Sequence, residues 1–162
     1  PSARNLAELV ARGGALDVSA TGTVVDLRQG SGLIQRCPQC NRSILNSVCT
    51  AHGTVDPVLD LRMKMVVDDG TAAISTVVGR EDTEKLTGIT LEKAKEIMAA
   101  KGGFEGVARE MAAIMIMKRV TVRGNLMNDD FGPNMIVRGA EIATVDVTAE
   151  AKRLYDEVEA AL

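Results

Sequence analysis

The sequence predicts a mainly β fold, a five-stranded barrel with a zinc-ribbon insertion after its first strand. Three observations carry this. Five β-branched segments occur as one single strand followed by two hairpins, helix-forming stretches fall between the third and fourth, and every Cys and the only His lie between the first and second. The 162 residues are 46% hydrophobic and 25% charged, enough apolar material for one packed domain. The longest apolar run, Met111 to Met117, is far short of the roughly 20 residues that cross a bilayer. No apolar stretch follows Arg4 and Glu8, so no secretory signal is read and an intracellular protein is expected. A start at Pro1 and not Met predicts an excised piece of a longer chain. A net charge of −3 gives no global basic field, so any affinity for phosphates needs a local patch.

Element by element, residues 1–15 read as an arm or short helix. Ala20–Arg28 is β-branched and reads as the first strand. Gly30-Ser31-Gly32 is a turn or bulge into the insertion at about 30–57, and it lacks the Gly-Lys-Ser/Thr of a phosphate loop. Val58–Val67 alternates and is closed by the turn Asp68-Asp69-Gly70, so Thr71–Gly79 is the returning strand. Glu81–Leu86 and Leu91–Ala100 are helical, the second capped by Thr90. Gly102-Gly103 breaks that helix and Gly106–Met115 forms another. Arg119–Asn125 and Asn134–Ala143 are the last strands, joined by a polar loop over Leu126–Pro133. Five strands with helices between the third and fourth is the connectivity of an OB-fold barrel, here spanning about 16–147. Over 148–162, Ala151, Leu154, Tyr155, Val158 and Leu162 share one helical face, which either packs on the barrel or joins a second chain.

The insertion carries the strongest chemical signal. Cys37, Cys40, Cys49 and His52 are spaced C-x2-C-x8-C-x2-H. Each two-residue gap lets a turn aim both side chains at one ion, and the longer spacer brings the second pair back to complete a tetrahedron. Thiolate with imidazole in a closed set of four suits zinc, one ion per chain. A catalytic zinc keeps an open position, and His52 is followed by Gly53-Thr54 without the glutamate of zinc deaminases, so the zinc is expected to be structural. No paired carboxylates or nucleophile–base motif marks an enzyme.

With those motifs in place the chain resembles the zinc-containing OB-fold domain of replication protein A, the single-stranded DNA-binding factor of archaea and eukaryotes, and the archaeal form most closely. The resemblance rests on Gly30 to Cys40, Cys49 to Gly53, Asp60-Leu61-Arg62 and Asp68 to Thr71. It continues through Arg80-Glu81, Leu91 to Lys95, Val122 to Asn125 and Asp130 to Pro133. It implies zinc held by Cys37, Cys40, Cys49 and His52, and a DNA groove over the second and third strands flanked by the loops at 30–57 and 126–133. It also implies work in replication, repair and recombination beside other replication protein A subunits, joined through the C-terminal helix. The location would be the cytoplasm or nucleoid of an archaeon, or a eukaryotic nucleus.

The residues themselves offer a binding face. Arg62 and Lys64 are two apart and share a side of their strand, as do Arg119, Thr121 and Arg123 on theirs. Arg80 follows the third strand and Arg138 lies on the fifth; together these are expected to form one basic groove on neighbouring strands. Aromatics are only 2%, and Phe131 alone falls in a groove-flanking loop, as a base stack or as a lid on the core. Phe104 is read as core or helix packing. Backbone electrostatics with Arg or Met contacts should then dominate binding. The function expected is a non-enzymatic single-stranded DNA-binding subunit. The alternatives are a zinc OB module that assembles subunits while DNA binding resides elsewhere, and an RNA-binding OB protein.

Overall fold

The computed structural model describes residues 5–143; the helix expected over 148–162 lies outside them. The chain runs through α1 (Leu6–Ala11), β1 (Gly14–Leu27), β2 (Gly32–Arg36), β3 (Ser43–Ile44), β4 (Val48–Cys49) and β5 (Gly53–Thr54). It continues with β6 (Val58–Asp68), β7 (Ala73–Val78), α2 (Arg80–Thr87), α3 (Leu91–Ala100), α4 (Gly103–Met115), β8 (Arg119–Asp129) and β9 (Gly132–Ile142). The barrel closes in the order β1-β6-β7-β9-β8 and back to β1. Every pairing in that ring is antiparallel except β7 against β9. This is OB-fold closure, and it removes every free edge from the ring.

One long strand makes the closure. Up to Thr23 β1 pairs with β8, and from Thr23 to Leu27 it pairs with β6. Gly22 sits at the changeover, where an added Cβ would lie 2.6 Å from the Asp68 carbonyl oxygen and 2.9 Å from Val67 Cγ1. Only glycine lets the two backbones approach this closely.

Period-two burial builds the core. Leu61, Met63, Met65 and Val67 of β6 point inward, and Ile74, Val78, Val120 and Val122 meet them. Met111 and Met115 of α4 close the interior from the helical side. Met63, Met65, Met111, Met115 and Met135 are all fully buried, so flexible thioethers fill the volume that aromatic rings fill elsewhere. At the barrel end bearing the β6–β7 turn, α1 inserts Leu6 and Leu9. It is held there by Asp69 Oδ2, which accepts from Leu6 N at 2.9 Å.

Besides β1 starting at Gly14 and not at the expected Ala20, the structure departs from the sequence reading at two places. The first strand does not end at the glycines, because β2 continues it along β6 from the Gly32–Arg62 pair to the Arg36–Val58 pair. The break between them is a bulge tied down by Ser31, whose Oγ donates to Arg28 O at 2.7 Å and accepts from Lys64 N at 2.8 Å. Leu33 and Ile34 are both buried, so the strand shows no alternation in the sequence. Gly32 (φ 104°) brings the backbone against α4, where a Cβ would come within 3.1 Å of Ala108 N. The second departure is at 126–133, read as a loop. The β8–β9 pairing runs to Asp129 opposite Gly132, leaving Asp130 and Phe131 as a two-residue tip. Polar residues on both strands near the tip hid it, although Leu126 keeps the inward register.

Candidate metal centre and nucleic-acid interface

The arm between β2 and β6 folds around the four sequence-predicted ligands. Cys37 follows β2, and its turn is closed by Asn41 N donating to Cys37 O at 2.8 Å and Cys37 N donating to Arg42 O at 2.9 Å. Cys40 lies inside this turn. Cys49 ends β4, and His52 sits in the turn before β5, which pairs Cys49 with Gly53. All four ligand atoms lie within 4.8 Å of one another, a set able to hold one metal ion. Cys40 Sγ is 3.7 Å from Cys49 Sγ, and His52 Nδ1 is 3.6 Å from Cys37 Sγ and 3.5 Å from Cys49 Sγ. The cysteines are free thiols, and Cys37 and Cys49 are buried beside Ile44 in a small cluster of their own. His52, through its hydrogen bond, lowers Cys49 to about 6. At Cys40 the Arg42 amide pulls the pKa down, but burial and the neighbouring sulfurs outweigh it and leave the thiol raised.

Beside this arm, the outer surface of the barrel forms a graded strip. On β6 the residues between the buried ones are Asp60, Arg62, Lys64 and Val66, all facing outward. Arg62 Nε donates to Gly30 O at 3.1 Å, fixing its guanidinium over the bulge. Burial and then the Arg36 guanidinium push Arg62 below its usual range, against the opposing pull of Asp60. Asp60 also holds Arg36 at 2.6 Å and Arg80 at 3.7 Å, so one carboxylate pairs with two arginines. Moving across the sheet, Lys64 is in register with Val77, and Val77 with Ile136. One step along, Val66 pairs with Ser75, Ser75 with Asn134, and Asn134 with Met127. Ile136 is 59% exposed, Met127 55%, and Phe131 95% at the hairpin tip beyond them. The strip thus grades from cationic at the arm to the exposed Ile136, Met127 and Phe131, the last flanked at the tip by Asp129 and Asp130.

No family model matches the chain, and no curated protein does. Among solved structures it is similar to a replication protein A heterotrimer bound to ssDNA, with a TM-score of 0.57 and 15% identity, over 89% of this chain and 35% of that chain. It therefore spans about a third of that relative's length. It is also similar to yeast RPA bound to ssDNA, with a TM-score of 0.55 and 15% identity, over 91% of this chain and 87% of that one. The fold is an OB-fold, similar to that in these two structures. A third likeness, the second OB-fold domain of replication protein A from Methanococcus maripaludis, has a TM-score of 0.45 and 10% identity, over 89% of this chain and 97% of that one.

On this OB-fold the expected basic residues divide into two groups. Arg62, Lys64 and Arg80 lie together beside the arm. Arg119 and Arg123 do face outward as their alternation predicts, but on β8, which is not a neighbour of β6 in the ring. Arg119 and Arg123 therefore lie two strands from β6 through β1, not on an adjacent strand. Arg123 and Thr121 line a 180 Å³ hollow with Lys85 of α2. Arg138 is engaged locally, donating to Asn125 Oδ1 at 3.2 Å and lying 3.5 Å from Asp17 Oδ1.

The aromatic residues also resolve. At 95% exposure Phe131 is no lid on the core. Phe104, read as core or helix packing, is 41% exposed and lines the cleft between α4 and the metal arm. It opens the first turn of α4 on the same helical face as Val107 and Met111, so its exposure comes from its place at the helix start and not from the pattern. Arg36, Val77, Met127 and Ile136 escaped the sequence reading altogether. The alternation Met135-in, Ile136-out, Val137-in carried the signal for Ile136.

Proposed function

We propose that this chain is a non-enzymatic, zinc-bearing module that binds single-stranded DNA with little sequence preference and serves replication, repair and recombination as part of a replication protein A-like assembly. The observation that carries this reading is the strip from Arg62 and Lys64 across Val77 and Ile136 to the exposed Phe131. Single-strand binders combine a cationic track for the backbone with flat or apolar surface for unstacked bases. Here the cations sit at one margin and the apolar side chains form the floor. The likeness to replication protein A structures bound to ssDNA supports it. Zinc is supported by the ligand spacings. Bond lengths of about 2.3 Å to sulfur and about 2.05 Å to nitrogen give tetrahedral edges of about 3.8 and 3.6 Å; three of the six edges are 3.7, 3.6 and 3.5 Å, and all four atoms lie within 4.8 Å of one another.

The test is a titration of labelled oligo-dT against duplex and RNA competitors. Single-stranded DNA should bind best. Replacing Arg62 and Lys64 together by Ala should flatten the salt dependence, by about 0.7 in log–log slope for each phosphate no longer neutralised. An unchanged slope would show that these two charges meet no phosphate. A second reading, assembly without DNA binding, is favoured by Leu45, Val48 and Val58, which are exposed on and beside the metal arm. Negligible oligo-dT affinity together with a free particle larger than one chain would select that reading.

A further inference from the structure

Between α4 and the metal arm lies a cleft of about 480 Å³, within the size range of small-molecule sites. Of the strip residues described above, only Arg62 reaches it. Its walls are apolar: Leu33 and Ile44 from the strand side, Ala108 and the Phe104 ring from α4. Three guanidinium groups, Arg28, Arg62 and Arg109, stand around it against one carboxylate, Glu105. Glu105 is itself paired with Arg109 at 3.9 Å, which leaves the Arg28 and Arg62 end cationic. Gln35 also lines the cleft. Its Oε1 accepts from Ser47 N at 2.9 Å, leaving its two amide N–H donors without a partner among the described residues. The walls are set by packing and not by chance, since Gly32 holds the strand against Ala108 of α4.

Arg62 belongs to both places. Its guanidinium borders the cleft and also stands beside Lys64 on the strip, with Gly30 between them and the bulge. A phosphodiester chain leaving Lys64 toward the arm therefore meets the cleft mouth next. An apolar slot with one exposed ring, free amide donors and a cationic entrance matches a nucleotide: a π-face for stacking, base-edge acceptors, and an anionic phosphate. We propose that this cleft seats one unstacked nucleotide of the bound single strand, its base against Phe104 and its phosphate at Arg28 and Arg62. The inference rests on the single-strand reading above and extends the track beyond the barrel face.

The experiment compares wild type, Phe104→Ala and Phe104→Trp on an oligo-dT length series, with 2-aminopurine moved through successive positions. Lys64→Ala and Ile136→Ala serve as controls on the strip, outside the cleft. Above a threshold length, Phe104→Ala should bind at least about fivefold more weakly, and Phe104→Trp should recover the loss. Below that length the variants should match wild type. One 2-aminopurine position should change its emission on binding in wild type and lose that change in Phe104→Ala. Because the ring is partly exposed, melting temperature should stay near wild type, and a drop confined to Phe104→Ala would assign the ring to packing and overturn the proposal. Equal affinity of Phe104→Ala at every length, with Lys64→Ala and Ile136→Ala weakened, would overturn the cleft and leave the strip standing. If wild type does not bind oligo-dT, both readings fall. If free thymidine monophosphate saturates the cleft while oligo-dT does not depend on Phe104, the nucleotide comes from solution, and the strand path is wrong.

Discussion

Phe131 shows how much one residue's surroundings decide. In the sequence it offered two roles, and the flanking acids did not separate them. The hairpin tip decides: Asp129 Oδ1 accepts from Phe131 N at 2.8 Å, the turn closes, and the ring projects into solvent. Replacing it by Ala should therefore leave the urea midpoint within the small range of surface changes, about 0.5 kcal/mol. Oligo-dT affinity should fall by roughly 1–3 kcal/mol, the contribution of one stacked base. A lower midpoint with unchanged affinity would reject the stacking role. The clustering of Cys37, Cys40, Cys49 and His52 was legible at this scale, because a candidate ligand set is local and its spacing is written into two turns. The division of the arginines was not, because alternation tells which side of a strand a residue faces but not which strand lies next to it.

Elements were legible where one face is buried and the other wet. The alternating β6 and the capped α3 match their expected limits closely, with Thr90 Oγ1 accepting from Lys93 N at 3.2 Å. Where two faces are covered, as in β2, or where both strands near a tip are polar, as in the β8–β9 hairpin, the pattern disappears. The docking of α1 was also invisible, since it depends on a carboxylate 63 residues away. Burial raises Asp69, but hydrogen bonds from Leu6, Thr71 and Ala72 outweigh it and hold the carboxyl below its ordinary 3.8. A folded-state pKa below the unfolded one stabilises fully above about pH 4 and loses that stability as pH falls through the folded value. Asp69→Asn should cost about 1–2 kcal/mol at pH 7, measured by urea unfolding. The gap to wild type should shrink at pH 3. An equal gap at both pH values would mean that the charge does not hold α1.

At the scale of the molecule, the described residues form two separate apolar clusters, the barrel interior and the few residues around Cys37 and Cys49. No strand pairing of the barrel ring passes through the arm beyond β2. Removing the metal should therefore raise amide exchange over 37–57 while the barrel amides keep their protection, and elemental analysis before chelation should find one zinc per chain. Global unfolding on chelation would show that the arm and barrel are one cooperative unit. The changeover strand has a further consequence, in the time domain. The first half of β1 pairs with β8, and Thr21 Oγ1 meets Thr121 Oγ1 across 100 residues of sequence. Such closure carries a large loop entropy before any pairing rewards it, which places folding toward the slow, millisecond-to-second regime of β barrels. During synthesis β1, β6 and β7 leave the ribosome well before β8, so residues 14–22 wait as an open edge until the fourth strand arrives. Gly13, Gly14 and Gly22 in and beside that stretch, with Asp17 at φ 50°, make it irregular and a poor template for pairing with another chain in the interval.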